Sequence, residues 1–326
     1  MSSVRRAVVF GGSGFIGRYV VKRLAAGGAV VAVVARHASR ASFLQPMGDV
    51  GQIALIDASI GDEKVVARVL DGADTAVNLV GILAEGGGRS FDGVHHEGAE
   101  RIARLAAAAG VDRLVHVSAI GADPDSPSSY ARSKAAGEAA VRAHFPAATI
   151  LRPSIVFGPE DQFFNRFARM AQLLHVVPLI GGGRTRFQPV YVGDVADAAM
   201  AALRLPAAAG ATYELGGPRI YSFRELMELM LRQIEAPDSD RMFKEHALIS
   251  IPFGIASVMG AVAQHLPGAP LTLDQVRLLR RDNVVSAGAA GFAELGIQPT
   301  APELVLPSYL DLYRRGGWYS MRRWAR

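Results

Sequence analysis

Three glycines, at positions 11, 14 and 17, constrain this chain more than any other feature. They fall in Gly11-Gly12-Ser13-Gly14-Phe15-Ile16-Gly17, directly after a short apolar run, Ala7–Phe10, and at the start of a helical pattern, Gly14–Ala26. The first glycine lets the chain turn tightly. The second removes a side chain, so that backbone N–H groups can approach a pyrophosphate. The third lets the helix lie close on the strand. Read without a ligand, the same pattern is only a tight turn. The order strand, glycines, helix, second strand favours a bound nucleotide.

The alternation continues through the first 120 residues. Val30–Ala35, Ile53–Ile56, Thr75–Val80, Leu114–Val117 and Thr149–Arg152 read as strands buried on both faces. Gly14–Ala26, Glu63–Leu70 and Val94–Ala109 read as the helices between them. Strand–helix alternation means an α/β fold: a Rossmann-type, doubly wound parallel sheet with helices on both faces. Regularity weakens after Pro153, where Pro, Gly and aromatics rise up to Tyr191, and helices return at Val195–Leu205 and Phe223–Gln233. Residues 1–151 are therefore expected to form the nucleotide domain. Residues 152–326 are expected to form a smaller, partly helical lobe, with about 188–205 rejoining the first domain.

Composition narrows the function. The 326 residues are 50% hydrophobic and 20% charged, a globular balance, with a formal net charge of +5. No cysteine is present, which excludes disulfides, thiolate metal sites and cysteine nucleophiles. Lys and Arg are not interleaved with aromatics in the first 300 residues, so no nucleic acid is expected as a partner. No signal peptide is expected either, because the apolar run Ala7–Phe10 is short and ends in the glycine loop.

The end of the second strand bears on which nucleotide binds. An Asp or Glu there accepts from the ribose 2′-hydroxyl of NAD; this chain has Ala35-Arg36-His37 and then Arg40. A guanidinium pairs with a 2′-phosphate, so NADP(H) is expected over NAD(H). The alternative is that Arg36 is a solvated surface charge. Asp57 and Ala58 close the third strand. Asp57 is placed to accept from an adenine amino group, or else to cap the helix after Gly61. Asn78-Leu79-Val80-Gly81 ends the fourth strand, where the backbone of Val80 and Gly81 is expected to pass beneath a cofactor and the small Gly81 helps. Asn78 has the alternative of pinning adjacent strands.

Ser118 ends the fifth strand. Tyr130 and Lys134 follow at i and i+4 of a helix and so share a face. A phenol titrating near pH 10 is no base at neutrality unless its anion is stabilised, and an ammonium one turn away does that. A serine hydroxyl orients a carbonyl or alcohol. With the glycine loop, Asp57, Asn78–Gly81, Arg152-Pro153-Ser154 and Gln188-Pro189-Val190-Tyr191-Val192-Gly193-Asp194-Val195, these residues resemble the extended and atypical short-chain dehydrogenase/reductase superfamily over roughly residues 5–220. The resemblance implies that Tyr130 and Lys134 also touch the cofactor and that Pro153 lies by the nicotinamide.

A narrower resemblance exists. Residues 9–21, Pro46-Met47-Gly48-Asp49-Val50-Gly51-Gln52, residues 78–81 and Gln188–Val192 look like the NADPH-binding accessory-subunit family of respiratory complex I, NADH:ubiquinone oxidoreductase. The Pro46–Gln52 run is the most discriminating of these. Richness in Ala, Gly and Arg, with no presequence, suggests a bacterial form. The resemblance implies a tightly held NADPH, other complex I subunits as partners and a peripheral place on the cytoplasmic side of the inner membrane. It also implies little or no turnover. The alternative from the residues themselves is an active NADP-dependent oxidoreductase or epimerase using Ser118, Tyr130 and Lys134.

Other features remain. Ala247–Leu273 lacks Asp, Glu, Lys and Arg, but Pro252, Pro267 and Pro270 break it. It reads as a hydrophobic hairpin on a partner or membrane interface, or as a buried helix of the small lobe. The tail Tyr313–Arg326 holds five arginines, both tryptophans and no acid, which suits an anionic membrane surface or an acidic partner. His95-His96-Glu97 is read as the exposed start of a helix and not as a metal site, since adjacent helical residues point apart. Gly86–Gly88 and Gly181–Arg186 are read as flexible loops; the arginines of the second are read as solvated charges, with contact to an anionic substrate or a partner as the alternative.

Overall fold

A computed structural model describes residues 4–235, 246–264 and 271–314. Six strands and four helices build the nucleotide-type sheet: β1 Arg6–Phe10, α1 Phe15–Ala26, β2 Val30–Ala35, β3 Ile53–Asp57, α2 Glu63–Leu70, β4 Thr75–Asn78, α3 Glu97–Ala108, β5 Arg113–Val117, α4 Ser129–His144 and β6 Thr149–Pro153. A seventh strand, Thr212–Leu215, adds beside β6, and the spatial order is then Thr212–Leu215, β6, β5, β4, β1, β2, β3. Every pairing in this sheet is parallel. The strand order reverses between β1 and β4, the position where open α/β sheets form their ligand crevice. The expected doubly wound α/β fold is thus the observed one.

The apolar runs are continuous because both faces of the sheet are covered. Val8 and Phe10 of β1 join Val66, Leu70, Ile102 and Leu114 in one core with α2, α3 and α4. On the other face, a side chain at Gly12 would meet Val9, Val21 and Val33, which places α1 there. Alternation along β5 sends Leu114, His116 and Ser118 toward the α3/α4 face. That sets the serine on the side of the helix carrying Tyr130 and Lys134.

The chain divides into two compact units. The first is Met1–Pro153 with Val192–Leu215 and Ser286–Gln298; the second is Ser154–Tyr191, Gly216–Val285 and Pro299–Arg326. In the second unit Phe157, Phe164, Leu226, Met227, Leu306 and Leu310 form a buried core. Asp161 is buried there, accepting from the Tyr309 hydroxyl at 2.6 Å and from the N–H groups of Gly158 and Asn165. The apolar stretch from Ala247 begins as a strand, Ala247–Ile251, paired with Val176–Ile180, and continues as a helix, Phe253–Ala263. Among the described residues no helix is long and apolar enough to cross a membrane. The basic aromatic tail beyond Arg314 lies outside the described residues.

Candidate functional site

All the residues singled out for nucleotide binding and chemistry belong to the first unit. Gly11 has φ +77°, a left-handed conformation that disfavours side chains, and a Cβ there would lie 3.2 Å from the backbone of Leu79 and Val80. Gly17 is tighter still: its Cβ would sit 2.4 Å from the Gly11 oxygen and 2.6 Å from Gly12 Cα. Helix α1 therefore touches the loop through hydrogen atoms alone. Gly14 is the N-cap, with no side-chain cap bond and no acid in the first turn of α1. Ser13, Phe15 and Ile16 complete the turn. A helix start with no side-chain cap and no acid in its own first turn has the charge character a diphosphate requires.

At the adenosine end, Arg36 is exposed just beyond β2 and has no ion-pair partner among the described residues. Asp57 Oδ1 accepts from the backbone N–H of Ser39 at 3.0 Å. That bond holds its carboxyl below the ordinary value, and it anchors the loop that carries Arg36 and His37. The α2 cap is Asp62, which accepts from Val65. Asn78 does two things: its Oδ1 accepts from Val80 N–H at 3.1 Å, and its amide lies 3.1 Å from His116 Nδ1 across the β4–β5 pair. Thr75–Asn78 is therefore shorter than the strand expected to reach Val80, because the asparagine side chain takes over the pairing of the departing backbone.

Lys134 is buried, and its Nζ donates to Val117 O at 3.3 Å. A Cβ at Gly81 would lie 3.5 Å from that Nζ, so the glycine leaves room for the ammonium beneath the loop. Burial lowers Lys134 to about 8, opposed by Glu138. Burial pushes Tyr130 up to about 12, so the phenol keeps its proton at neutral pH. Ser118 is buried and its Oγ has no hydrogen-bond partner among the described residues. Such a hydroxyl is costly unless something accepts from or donates to it.

The reading of His95 as an exposed helix start is corrected. Residues Asp92–His96 form a π-helical turn ahead of α3, and this turn rotates His95 inward to 1% exposure. Its Nε2 accepts from Ile82 N–H at 3.0 Å, so Nδ1 carries the proton toward Ser133 Oγ at 2.9 Å, and Ser133 donates to Tyr130 O. The ring lies edge-on to Tyr130 at 5.3 Å, and Phe91 does the same at 5.7 Å. Burial, with Lys134 and His116 nearby, lowers His95 to about 3, and it is neutral. His96 instead pairs with Asp92 at the surface. Among the described residues no group of three His, Asp or Glu could hold a metal.

The glycine cradle, the uncapped helix start, the ammonium under Gly81 and the Ser118 hydroxyl, unpartnered among the described residues, fit the diphosphate and hydroxyl groups of a dinucleotide. Pro153 ends β6 beside β5, and Ile120 N–H donates to its carbonyl. Ala58 N–H donates to Ala35 O, which ties the β3 end to the β2 end where Arg36 follows.

Comparison with known proteins places this arrangement. Residues 7–216 match the model of the NAD dependent epimerase/dehydratase family. Subunit 9 of the NADH dehydrogenase [ubiquinone] 1 alpha subcomplex from Arabidopsis thaliana is 38% identical over 95% of this chain and 78% of its own length. The Mus musculus protein of the same name is 34% identical over 96% and 82%. Among solved structures, a dTDP-glucose 4,6-dehydratase from Streptomyces venezuelae, with NAD and TYD bound, superposes with TM-score 0.70 at 23% identity. It covers 98% of each chain and is alike in fold.

Proposed function

The chain belongs to the NAD dependent epimerase/dehydratase family, and from that premise we propose that it is an NADP(H)-binding accessory or assembly subunit of a bacterial respiratory complex I. In this reading the dinucleotide is mainly a structural ligand, and turnover is slight or absent. The carrying observation is that similarity to the complex I subunits runs over 95% of this chain, well past the nucleotide-binding match that ends at residue 216. A ligand held only by the folded state stabilises it by mass action, which gives a bound nucleotide a role without chemistry. Arg36, free of ion pairs among the described residues, would take the 2′-phosphate; Gly11–Gly17 would take the diphosphate; Lys134 beneath Gly81 would hold the nicotinamide ribose. The protein would sit peripherally on the cytoplasmic side of the inner membrane, with other complex I subunits as partners and the tail near an anionic surface. Heat denaturation of purified protein followed by identification of the released nucleotide tests the cofactor. Co-purification with complex I from membranes tests the partner. A protein released with NAD, or found only as a free soluble species, would count against this reading.

A second reading is favoured by the buried, unpartnered Ser118 hydroxyl beside an intact Tyr130 and Lys134. In it the chain is an NADP-dependent oxidoreductase or epimerase acting on a carbonyl or hydroxyl compound. A bound nicotinamide would supply or accept hydride. Ser118 would hydrogen-bond the substrate oxygen. Tyr130, protonated at neutral pH, would donate a proton to that oxygen in the reducing direction. The Lys134 ammonium would stabilise the resulting phenolate. Tyr130→Phe separates the two: an altered cellular metabolite with complex I intact supports the enzyme, and no measurable change supports the structural subunit.

A further inference from the structure

Within the second unit, helix Phe253–Ala263 is built inside out. Its buried positions are small, Ala256 and Gly260. Ala256 packs with Ile180 and Val276, and a Cβ on Gly260 would come within 2.9 Å of Leu273 N. Its large apolar side chains face solvent instead: Ile255 is 56% exposed, Val258 66%, Met259 48% and Val262 68%. These positions follow i, i+3, i+4, i+7 and form one stripe. Single exposed hydrophobics are ordinary, but a whole helical face of them marks an interaction site.

What surrounds the stripe is cationic. Ala247–Leu273 contains no charged residue. Helix Leu273–Leu278, packed against the stripe-bearing helix, carries Asp274 in its first turn, and it and the turn after it expose Arg277, Arg280 and Arg281. The Arg280 guanidinium lies 4.7 Å over the Phe253 ring, at the first residue of the stripe-bearing helix. A cavity of about 640 Å³ opens beside it, lined by Gly182, Gly183, Arg184, Arg186, Arg224 and Ser250 among others. The two features are contiguous. Phe253 packs onto Gly181, the first residue of the glycine turn, and Ser250 of the cavity wall lies three residues before Phe253.

The glycine turn is a built element and not a slack loop. Gly181, Gly182 and Gly183 all have positive φ, and a Cβ at 181 would strike Phe253 at 2.3 Å while one at 183 would meet Arg224 at 3.0 Å. The turn thereby brings Arg184 to the cavity beside Arg224. Arg184 has no ion-pair partner among the described residues. Arg186 pairs with Asp282 at 2.7 Å, and Arg224 approaches Glu228 only at 3.9 Å. The cavity's one carboxylate, Glu225, is turned back onto the N–H of Ser222 at 2.6 Å in a capping box.

We propose that this arginine-lined cavity takes the phosphoryl group of an anionic phospholipid, while the Ile255/Val258/Met259/Val262 stripe enters the membrane interface beside it. A phosphodiester headgroup joins a hydrogen-bonding anion to an apolar chain, and here the two complementary surfaces adjoin. An acidic protein surface could also pair with Arg184; the lipid is favoured because a concave cavity lined by three guanidiniums suits a compact phosphoryl group set directly against an apolar chain. The inference rests on the peripheral placement proposed above and is independent of the nucleotide.

The test is sedimentation of the full-length protein with phosphatidylcholine vesicles, with and without phosphatidylglycerol. The wild type is expected to partition onto the phosphatidylglycerol vesicles and to be released by salt. Arg184→Glu changes the local charge by two and is expected to weaken partition roughly 30-fold, at about 1 kcal/mol per charge. Val258→Asp, which touches no part of the cavity, is expected to weaken it about tenfold or more. Circular dichroism and thermal midpoints at the wild-type values certify that both variants are folded, including the second unit that carries both substitutions. Both retain the C-terminal tail, so wild-type partition by both means the tail alone anchors the protein, and the proposal falls while peripheral placement stands. If the wild type ignores both vesicles but binds inorganic phosphate in an Arg184-dependent way, the cavity serves a free anion and the lipid assignment falls. If no vesicle binds and Val258→Asp instead strips the protein from a purified membrane complex, the stripe covers a protein and the proposal falls too.

Discussion

The backbone N–H of Ile82 donates to Nε2 of His95 at 3.0 Å, and this bond joins the loop after β4 to the π-helical turn that presses His95 against Tyr130. Loop, turn and phenol therefore share one neutral imidazole. Protonating it would remove the acceptor of Ile82 and place a cation near Lys134.

An acid limb in stability follows from that geometry. His95 and His116 are both lowered to about 3, mainly by burial, against an unfolded value near 6.5. Between those values the unfolded chain binds protons that the folded chain refuses, so stability is lost as pH falls from about 6.5 toward 3. His95→Phe should make this limb shallower. It should also cost about 1–3 kcal/mol at neutral pH by orphaning Ile82 N–H. Urea unfolding midpoints across that pH range check both; an unchanged limb would mean that His95 does not titrate there.

Gly17→Ala and Gly14→Ala should behave differently although both belong to one motif. A methyl at 17 lies 2.4 Å from the Gly11 oxygen and 2.6 Å from Gly12 Cα, and backbone must move. At 14 the nearest atom is the Gly11 oxygen at 3.1 Å, a contact a small shift relieves. Gly17→Ala is expected to lose bound nucleotide and several kcal/mol of stability. Gly14→Ala should fold with about 1 kcal/mol lost or less, although its methyl stands where a diphosphate would approach and nucleotide content should fall in both. Thermal melts of nucleotide-stripped protein decide it, and equal losses of stability would mean the loop is not held by close packing.

Arg36→Glu should exchange the nucleotide. A carboxylate there repels a 2′-phosphate and can accept from a 2′-hydroxyl. The NADP(H):NAD(H) affinity ratio is expected to fall by about tenfold to hundredfold, the range for a hydrogen bond to a charged group. Titration with both nucleotides measures the ratio. No change would mean that Arg36 is a solvated charge and that preference is set elsewhere.

The sheet was readable because strands buried on both faces leave continuous apolar runs, and because glycine has few substitutes at positions 11 and 17. The π-helical turn at Asp92–His96 was not readable: one added residue in a helical turn leaves hydrophobic spacing almost unchanged while rotating a histidine from surface to core. The return of Ser286–Gln298 to the first unit was equally silent, since it is held by pieces such as Ser286 N–H on Glu214 and Glu214 N–H on Ala290, which have no local pattern. The Pro46–Gln52 run, which supports the resemblance to the complex I subunits, lies away from the glycine loop. Gln52 Nε2 donates to Ala25 and Ala29 carbonyls, pinning the run to the opposite end of α1 from Gly14. That run is thus a fastening of the fold, whereas His95, which packs edge-on to Tyr130, shows no motif at all.

Lys134→Met tests whether the buried ammonium is kept for a ligand at the expense of stability. Burial holds Lys134 near 8, against 10.5 when solvated. Between those values the unfolded state binds a proton that the folded state lacks, so stability without nucleotide should rise with pH from about 8 to about 10. Below pH 8 the full cost is present, about 3 kcal/mol at 1.36 kcal/mol per unit. The methionine variant should be more stable at neutral pH by up to about that amount and lose the alkaline rise, since its thioether needs no charge buried. Tyr130 acts with the opposite sign and in a higher window: raised to about 12, it lowers stability only above pH 10, in both proteins. Nucleotide retention should fall in the variant even as stability rises, because nothing then stands under Gly81 to donate to a ribose. Denaturant melts of nucleotide-stripped protein from pH 7 to 10, paired with the nucleotide content of the protein as purified, separate these effects. A variant that keeps its nucleotide, or that is less stable than the wild type at pH 7, would show that Lys134 is a member of the core and not a ligand-holding group.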